Sequence, residues 1–155
     1  MTPEDWPAVR RILAEGIATG VATFETSVPS WEAWDGSHTG EHRLVADDDG
    51  QVVGWAACSP VSDRCVYAGV LEISVYVAAD ARGTGVGSAL MAALIDSTER
   101  SGVWTLQTGV FDDNAASLAL QRRHGFRLVG TRERLGRLNG VWRDVLLLER
   151  RSPLV

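Results

Sequence analysis

Lysine is absent from this 155-residue sequence, so all 15 of its basic side chains are arginines. Cysteine is scarce as well, because Cys58 and Cys65 are the only two and they form no CxxC pair. Their spacing favours reduced thiols in a cytoplasmic protein, with a disulfide or a nucleophilic thiol as the alternatives. The three histidines, His38, His42 and His124, are not spaced as metal ligands, so we expect no metal.

Long apolar runs are also missing. No segment is long enough to span a bilayer, and the acidic, polar N-terminus does not resemble a signal peptide. The formal net charge of −5 argues against a general nucleic-acid or membrane-surface binder, although it is compatible with one local anion pocket. With 45% hydrophobic residues and no repeat or interior linker, residues 1–155 are predicted to form a single domain.

Apolar residues at helical spacing predict a first helix over residues 3–18. Another helix is expected over about 114–124, because Asp113 or Asn114 can cap its start and Gly125 can adopt the left-handed conformation that ends a helix. A short helix at 30–34 would place its two tryptophans on one face. These helices separate several β-prone segments.

Strands are predicted wherever apolar and polar residues alternate or β-branched residues cluster. The aspartates of Asp47–Gly50 predict a hairpin turn rather than a cation site, since calcium loops need further ligands at defined positions. The pattern indicates a mixed α/β fold with more strands than helices. The β-prone segments are residues 21–26, 42–46, 51–58, 71–77, 103–111, 126–132 and 141–149.

The most informative stretch is Leu71–Leu90, which reads as a strand, a glycine loop and the start of a helix. Gly83, Gly85 and Gly87 follow the strand at intervals of two residues. Such a loop presents bare backbone N–H groups and a helix N-terminus to one point, which is typical of a phosphate site. Arg82 adds a cation. A merely tight turn is the alternative.

Two nucleotide-binding motifs fail on spacing. A dinucleotide-binding loop needs G-x-G-x-x-G. Counted from Gly83, the third glycine of that pattern would fall at position 88, which is Ser88. A P-loop needs a lysine after its glycines, and the chain has none.

The pattern that fits is Arg-x-x-Gly-x-Gly from Arg82 to Gly87, followed by N-A-A-S-L-A-L-Q-R-R-H-G-F from Asn114 to Phe126. In this order the two segments resemble the Gcn5-related N-acetyltransferase (GNAT) superfamily. Shorter matches along the chain resemble its phosphinothricin and methionine-sulfoximine acetyltransferase family. They are Thr23–Thr26, Tyr67, Ser74–Val77, Asn114–Ser117 and Trp142–Val145.

The resemblance implies an acyl-CoA N-acyltransferase fold, an α/β (α+β) structure with a mixed, mostly antiparallel sheet of six to seven strands flanked by helices. It also implies acetyl-CoA as co-substrate, with a strand that splays after Val75 so that its backbone pairs with the pantetheine arm. A strand N–H near Val75 would polarise the thioester carbonyl. The implied cofactor-binding residues are Val75, Tyr76, Val77, Arg82, Gly83, Thr84, Gly85, Val86, Gly87, Ser88, Asn114 and Ser117.

The implied reaction is direct attack by a primary amine, which needs a base near the thioester. Glu72 lies on the opposite strand face from Leu71 and Ile73, and the resemblance assigns it that role; an ordinary surface glutamate is the alternative. The implied acceptor is a small amino acid or amino-acid-like antimetabolite, and homodimers are usual in the family. The implied acceptor-binding residues are Phe24, Glu25, Thr26, Arg64 and Tyr67.

Two departures from the family pattern bear on the acceptor and the leaving group. Ser62 replaces a second basic residue two positions before Arg64, and Gln121 stands where relatives carry a histidine or tyrosine. A neutral amide is not a general acid at neutral pH, and His124 is a helix-end residue before it is a substitute. Alternatives are therefore a protein N-terminus, a polyamine or an aminoglycoside as acceptor, or a non-catalytic acyl-CoA-binding module.

Overall fold

The computed structural model describes residues 1–155 and confirms an α/β (α+β) architecture. Short 3₁₀ turns occur at Pro3–Asp5, Cys65–Tyr67 and Ala79–Ala81. The helices are α1 (Trp6–Ala18), α2 (Trp31–Ser37), α3 (Val86–Arg100) and α4 (Ala115–Arg123). The strands are β1 (Leu44–Asp48), β2 (Gln51–Pro60), β3 (Val70–Val77), β4 (Thr105–Phe111), β5 (Arg127–Leu138) and β6 (Val141–Arg151).

The six strands form one sheet in the order β1-β2-β3-β4-β6-β5. Only β3 and β4 are parallel, and they pair solely between Val70–Glu72 and Thr105–Gln107. The splay therefore begins after Glu72, three residues before the predicted position at Val75. Each strand stays with its antiparallel neighbour beyond that point, β3 with β2 and β4 with β6, and the twist of the sheet separates them.

The predicted strand at residues 21–26 is wrong, because this segment forms irregular turns. The Thr23 hydroxyl accepts a hydrogen bond from the backbone N–H of Glu25 at 3.1 Å, which is a local turn. The Phe24 ring packs edge-on against Phe111, with centroids 4.7 Å apart. Tertiary packing thus overrides β propensity and carries the segment across the sheet.

The hairpin predicted at Asp47–Gly50 is confirmed. Asp49 and Gly50 have φ angles of +50° and +85°, and an oxygen of Asp47 accepts from the backbone N–H of Gly50 at 2.9 Å. No group of three or more His, Cys, Asp or Glu side chains is arranged to hold a metal ion. None of the helices combines the length and the apolarity that a membrane crossing requires.

Two clusters of buried apolar residues hold the layers together. One lies between the sheet and α3, where Leu90, Met91 and Leu94 pack against Leu71 and Ile73 of β3. The other lies under α1 and α2, and its members include Val9, Ile12, Trp34 and Trp55.

The tryptophans of α2, Trp31 and Trp34, stack with centroids 5.8 Å apart, as predicted for a shared face. Both cysteines are free thiols, as expected. Burial raises the pKa of the Cys58 thiol to about 12, so Cys58 behaves as a small apolar core residue.

Candidate functional site

A cleft of about 700 Å³ opens where β3 and β4 separate. Its floor is β3 from Ile73 to Val77, and one wall is the first two turns of α4. The opposite wall combines the 19–25 turn segment with β5 and β6. Of the predicted site residues, the cleft lining contains Phe24, Glu25, Glu72, Val75, Tyr76, Val77, Arg82, Gly83, Asn114 and Ser117.

The glycine loop has the predicted geometry for an anion. Gly83 and Gly85 have φ angles of +76° and +97°, which favour glycine. Gly85 also precedes α3 without a capping side chain, and the first intrahelical bond runs from Ala89 to Gly85. The backbone N–H groups at the start of α3, residues 86–88, therefore have no acceptor within the protein. Unpaired N–H groups at a positive helix end can bind phosphate oxygens.

Arg82 is held beside this loop. Its Nε donates to the carbonyl of Val77 at the end of β3, with a separation of 3.2 Å. The Thr84 hydroxyl donates to the Ala81 carbonyl at 2.6 Å and closes the loop. The remaining guanidinium N–H groups of Arg82 are thus available for an anion at the α3 N-terminus.

Asn114 caps α4, as predicted. Its side-chain oxygen accepts from the backbone N–H of Ser117 at 3.1 Å, and its amide donates to the Val21 carbonyl at 3.1 Å. Asn114 therefore joins α4 to the turn segment on the opposite wall of the cleft. Each amide atom can make one more hydrogen bond, so capping does not prevent ligand binding.

Ser88 and His124 meet at the outer side of this end of the cleft. The Ser88 hydroxyl lies 2.8 Å from Nε2 of His124, which follows α4 as its cap. Desolvation, followed by the charges of Arg123 and Arg150, lowers the pKa of His124, so the ring is neutral at pH 7. His124 is not part of the cleft lining, which fits a helix-end role.

Glu72 is the last β3 residue paired with β4, so its carboxylate lies where the cleft begins. Nε2 of Gln107, its neighbour on β4, donates to Oε2 of Glu72 at 3.1 Å. The side chain is exposed, and Leu71 and Ile73 point into the core on the other face, as predicted. No protein hydrogen bond engages the other carboxylate oxygen, Oε1 of Glu72, so it is free to accept a hydrogen bond or a proton. Gln107 escaped sequence analysis because one strand glutamine carries no signal.

The end of the cleft away from α3 is lined by side chains from segments that are far apart in sequence. The Phe24 ring packs on Phe111 and also occupies the space above Gly136, where an added Cβ would lie 2.8 Å from it. Tyr76 lies close to Glu25. Its pKa is raised mainly by desolvation, and the Glu25 charge adds to that rise against a hydrogen bond from Thr23.

A wide bulge in β5 shapes the same end. Arg132 pairs with Val145 and Gly136 pairs with Arg143, so three β5 residues stand opposite the single residue Asp144. The predicted strand at 126–132 consequently continues past its expected end to Leu138. Sequence analysis missed both the bulge and Arg132, which lines the cleft.

Three predicted acceptor-binding residues do not line the cleft in this structure: Thr26, Arg64 and Tyr67. Arg64 and Tyr67 lie together at the 3₁₀ turn before β3, with the guanidinium carbon 5.4 Å from the ring centroid. Their role in acceptor binding stays a prediction. Thr84, Gly85, Val86, Gly87 and Ser88 likewise lie beyond the cleft lining, on the adjoining loop and first turn of α3.

Gln121, one of the two departures from the family pattern, lies in the cleft wall. Its side chain is only 4% exposed, and its Oε1 atom is buried without a hydrogen-bond partner. A buried polar atom without a partner costs about 1–3 kcal/mol, so Gln121 destabilises the protein unless a bound molecule supplies a donor to Oε1.

Comparisons with known proteins agree with this geometry. Residues 6–126 match the sequence profile of the acetyltransferase (GNAT) family. A phosphinothricin N-acetyltransferase from Alcaligenes faecalis is 36% identical over 154 residues, which cover 95% of this chain and 78% of that protein. An L-methionine sulfoximine/L-methionine sulfone acetyltransferase from Pseudomonas paraeruginosa is 32% identical over 151 residues, which cover 94% of this chain and 88% of that protein.

Solved structures show the same fold. A ribosomal-protein-alanine N-acetyltransferase from Brucella melitensis matches with a TM-score of 0.90 and 33% identity, covering 98% of this chain and 97% of that one. A GNAT superfamily phosphinothricin acetyltransferase from Sinorhizobium meliloti, solved in complex with acetyl-CoA, matches with a TM-score of 0.88 and 31% identity, covering 97% of this chain and 85% of that one. The predicted acyl-CoA N-acyltransferase fold is confirmed.

Proposed function

Because the chain belongs to the acetyltransferase (GNAT) family, we propose that it acetylates the primary amine of a small amino-acid-like molecule, with Glu72 as general base. Family membership makes the chain an acetyl-CoA-dependent N-acetyltransferase. The acceptor and the base are the proposal. Relatives named for phosphinothricin and for L-methionine sulfoximine support this class of acceptor.

The observation that carries the proposal is the position of Glu72. Its carboxylate stands at the last paired residue before β3 and β4 separate, beside the strand edge that the cofactor is proposed to follow. An amine reaches the site mainly as an ammonium ion and must lose a proton before it becomes a nucleophile. Glu72 accepts that proton directly or through one water, while Gln107 holds the other carboxylate oxygen in place.

The residues present fit acetyl-CoA. The free N–H groups at the start of α3 and the guanidinium of Arg82 match a pyrophosphate in charge and hydrogen bonding. Between these groups and Glu72, β3 has an edge from Ile73 to Val77 without a β4 partner, and an extended amide-containing arm can pair with it. When bound, acetyl-CoA supplies an acetyl group activated as a thioester.

The β3 edge has a second proposed role, near Val75. A backbone N–H on this unpaired edge would donate a hydrogen bond to an oxygen on which negative charge develops. Gln121 lines the wall with Ser117, and as a neutral amide it could donate an N–H to a leaving group but could not deliver a proton to it. Proton delivery to sulfur is thus left to solvent.

A second acceptor class has one observation in its favour. The Brucella melitensis structure with the same fold is a ribosomal-protein-alanine N-acetyltransferase, which makes the amine of a peptide N-terminus a candidate. Such an acceptor lacks a free carboxylate beside its amine. The two classes can therefore be separated with small molecules.

The test is thiol release from acetyl-CoA in the presence of matched amines. The panel contains phosphinothricin, L-methionine sulfoximine, an alanine-initiated peptide and a polyamine. We expect turnover with the first two and little with the others. Turnover confined to the peptide would transfer the proposal to protein N-termini, and acetyl-CoA binding without turnover on any amine would contradict an amine acceptor.

We further propose that the protein works as a cytoplasmic homodimer, as the family resemblance implies. The β6 residues Val141 and Trp142 are 62% and 47% exposed and could be covered by a second copy. Light scattering of the purified protein should give twice the chain mass of 16.7 kDa, and a monomer mass would contradict the dimer.

A further inference from the structure

We propose that Arg132 binds the α-carboxylate of the acceptor and thereby selects free amino acids. The inference rests on the proposed function and narrows its substrate class. It starts from an observation in the cleft, where only four charged residues contribute to the lining: Glu25, Glu72, Arg82 and Arg132.

The two arginines stand at different ends of the cleft. Arg82 is tied to Val77 beside the glycine loop, where it serves an anion at the α3 N-terminus. Arg132 comes from β5, on the wall that also contains Leu135 and Val145. It is therefore the cation of the acceptor end.

Arg132 has no protein partner that would neutralise it. Other arginines on β5 and β6 form ion pairs, such as Arg143 with Asp113 and Arg150 with Glu99, both at 2.5 Å. Arg137 instead lies over the Trp142 ring, 4.2 Å from its centroid. No ion pair or side-chain hydrogen bond engages Arg132. A free guanidinium can bind a carboxylate through two parallel hydrogen bonds.

The β5 bulge explains why Arg132 lies in the cleft. Arg132 is the last β5 residue paired before the bulge, and Gly136 is the first paired after it. The backbone N–H of Arg134, which has a φ of +49°, donates to an oxygen of Asp144 at 2.8 Å and holds the bulge in place. Bulges redirect neighbouring side chains and are common beside active sites.

The distance between Arg132 and Glu72 suits an amino acid. Through the sheet register, Arg132 is level with Phe111 on β4, whereas Glu72 is level with Gln107. Along the strand direction the two residues are four positions apart, which is about 13 Å. Across the sheet they are three strands apart, which is about 14 Å. Two long side chains extending into the cleft cover most of that separation and leave room for an ammonium and its adjacent carboxylate.

The charges also discriminate among acceptors. Glu25 and Glu72 attract an ammonium group, and Arg132 attracts a carboxylate, so the acceptor end complements a zwitterion. A polyamine would place cations beside Arg132, and a peptide N-terminus would offer a neutral amide in place of the carboxylate. The polyamine would bind less well because like charges repel, and the peptide because it offers Arg132 no anion.

The test compares L-methionine sulfoximine with the same compound whose α-carboxylate is converted to a primary amide. The variants are Arg132→Gln, Arg132→Lys and, as a matched control on the same strand, Arg137→Gln. For Arg132→Gln we expect KM for the acid to rise roughly 10- to 100-fold, since a hydrogen bond to a charged group is lost. KM for the amide should change little. For Arg132→Lys, KM for the acid should lie between the wild-type and Arg132→Gln values, because lysine keeps the charge but cannot form two parallel hydrogen bonds.

Acetyl-CoA affinity by calorimetry should be the same for Arg132→Gln as for wild type, which separates acceptor binding from misfolding. The inference is overturned if KM for the acid is unchanged, or rises equally for acid and amide. It is also overturned if Arg64→Gln, rather than Arg132→Gln, gives the selective rise. If the wild type acetylates no amine, the proposed function itself fails; if it acetylates the acid and Arg132→Gln does so equally well, only this inference fails.

Discussion

The two ends of the cleft are built from different parts of the polypeptide. The end that faces α3 adjoins a site made mainly of backbone, namely the left-handed loop at Gly83 and Gly85 and the unpaired N–H groups of residues 86–88. Arg82 is the one charged side chain of its lining. Such a site depends on local chain conformation more than on side-chain identity.

The opposite end, which is the proposed acceptor end, is made mainly of side chains that are far apart in sequence. Phe24 contacts Phe111 and lies over Gly136, and Glu25 and Arg132 line the same wall of the cleft. Its shape depends on sheet register, on the β5 bulge and on packing. Substitutions should therefore separate the ends, with acetyl-CoA affinity changing at the first and acceptor KM at the second.

The largest effect is expected at Glu72, where β3 and β4 separate and the cleft begins. Glu72→Gln keeps the size of the side chain and removes the proposed base, so turnover should fall about 100- to 10,000-fold. The acetyl-CoA dissociation constant should stay unchanged, because backbone groups on the other side of the cleft provide that binding. Steady-state thiol release and calorimetry measure the two quantities. Near-normal turnover would remove Glu72 from the mechanism.

The glycine loop at the end that faces α3 is tested with Gly85→Ala. At a φ of +97° an alanine Cβ is strained by about 1–2 kcal/mol, so the loop will shift away from its present conformation. We expect acetyl-CoA affinity to fall about tenfold. The acceptor KM should change much less. Gly40→Ala is the control, since it lies outside the left-handed region with open space around it. Equal loss in both variants would mean that loop geometry is unimportant.

The proposed acceptor end is tested with Gly136→Ala. Its Cβ would lie 2.8 Å from the Phe24 ring, which is already held by Phe111. We expect overpacking to lower the free energy of unfolding by about 1–2 kcal/mol. Acceptor KM should rise several-fold because Phe24 is displaced, with acetyl-CoA affinity preserved. Gly130→Ala on the same strand meets no atom within 4 Å and is the control. A changed acetyl-CoA affinity in Gly136→Ala alone would show that the ends are coupled.

The same contrast explains what sequence could predict. The glycine loop, the Asn114 cap and the Glu72 face were predicted correctly, because each depends on a few neighbouring residues. The splay position, the β5 bulge and the turn segment at 21–26 were not, because register and packing between distant segments determine them. The family resemblance supplied the cofactor and the proposed base, but it did not point to Arg132.

Gln121, in the α4 wall of the cleft, gives the smallest expected effect, with opposite signs in two measurements. Its buried, unpartnered Oε1 destabilises the free protein, so Gln121→Leu should raise the free energy of unfolding by about 1 kcal/mol. If acetyl-CoA supplies the missing donor, the same substitution should weaken its binding about fivefold, since the bound state loses a hydrogen bond. Denaturant unfolding and calorimetry on the same samples measure both. Stabilisation without loss of affinity would mean that Oε1 makes no hydrogen bond to acetyl-CoA. The end that faces α3 would then bind acetyl-CoA without a contribution from Gln121 in the α4 wall.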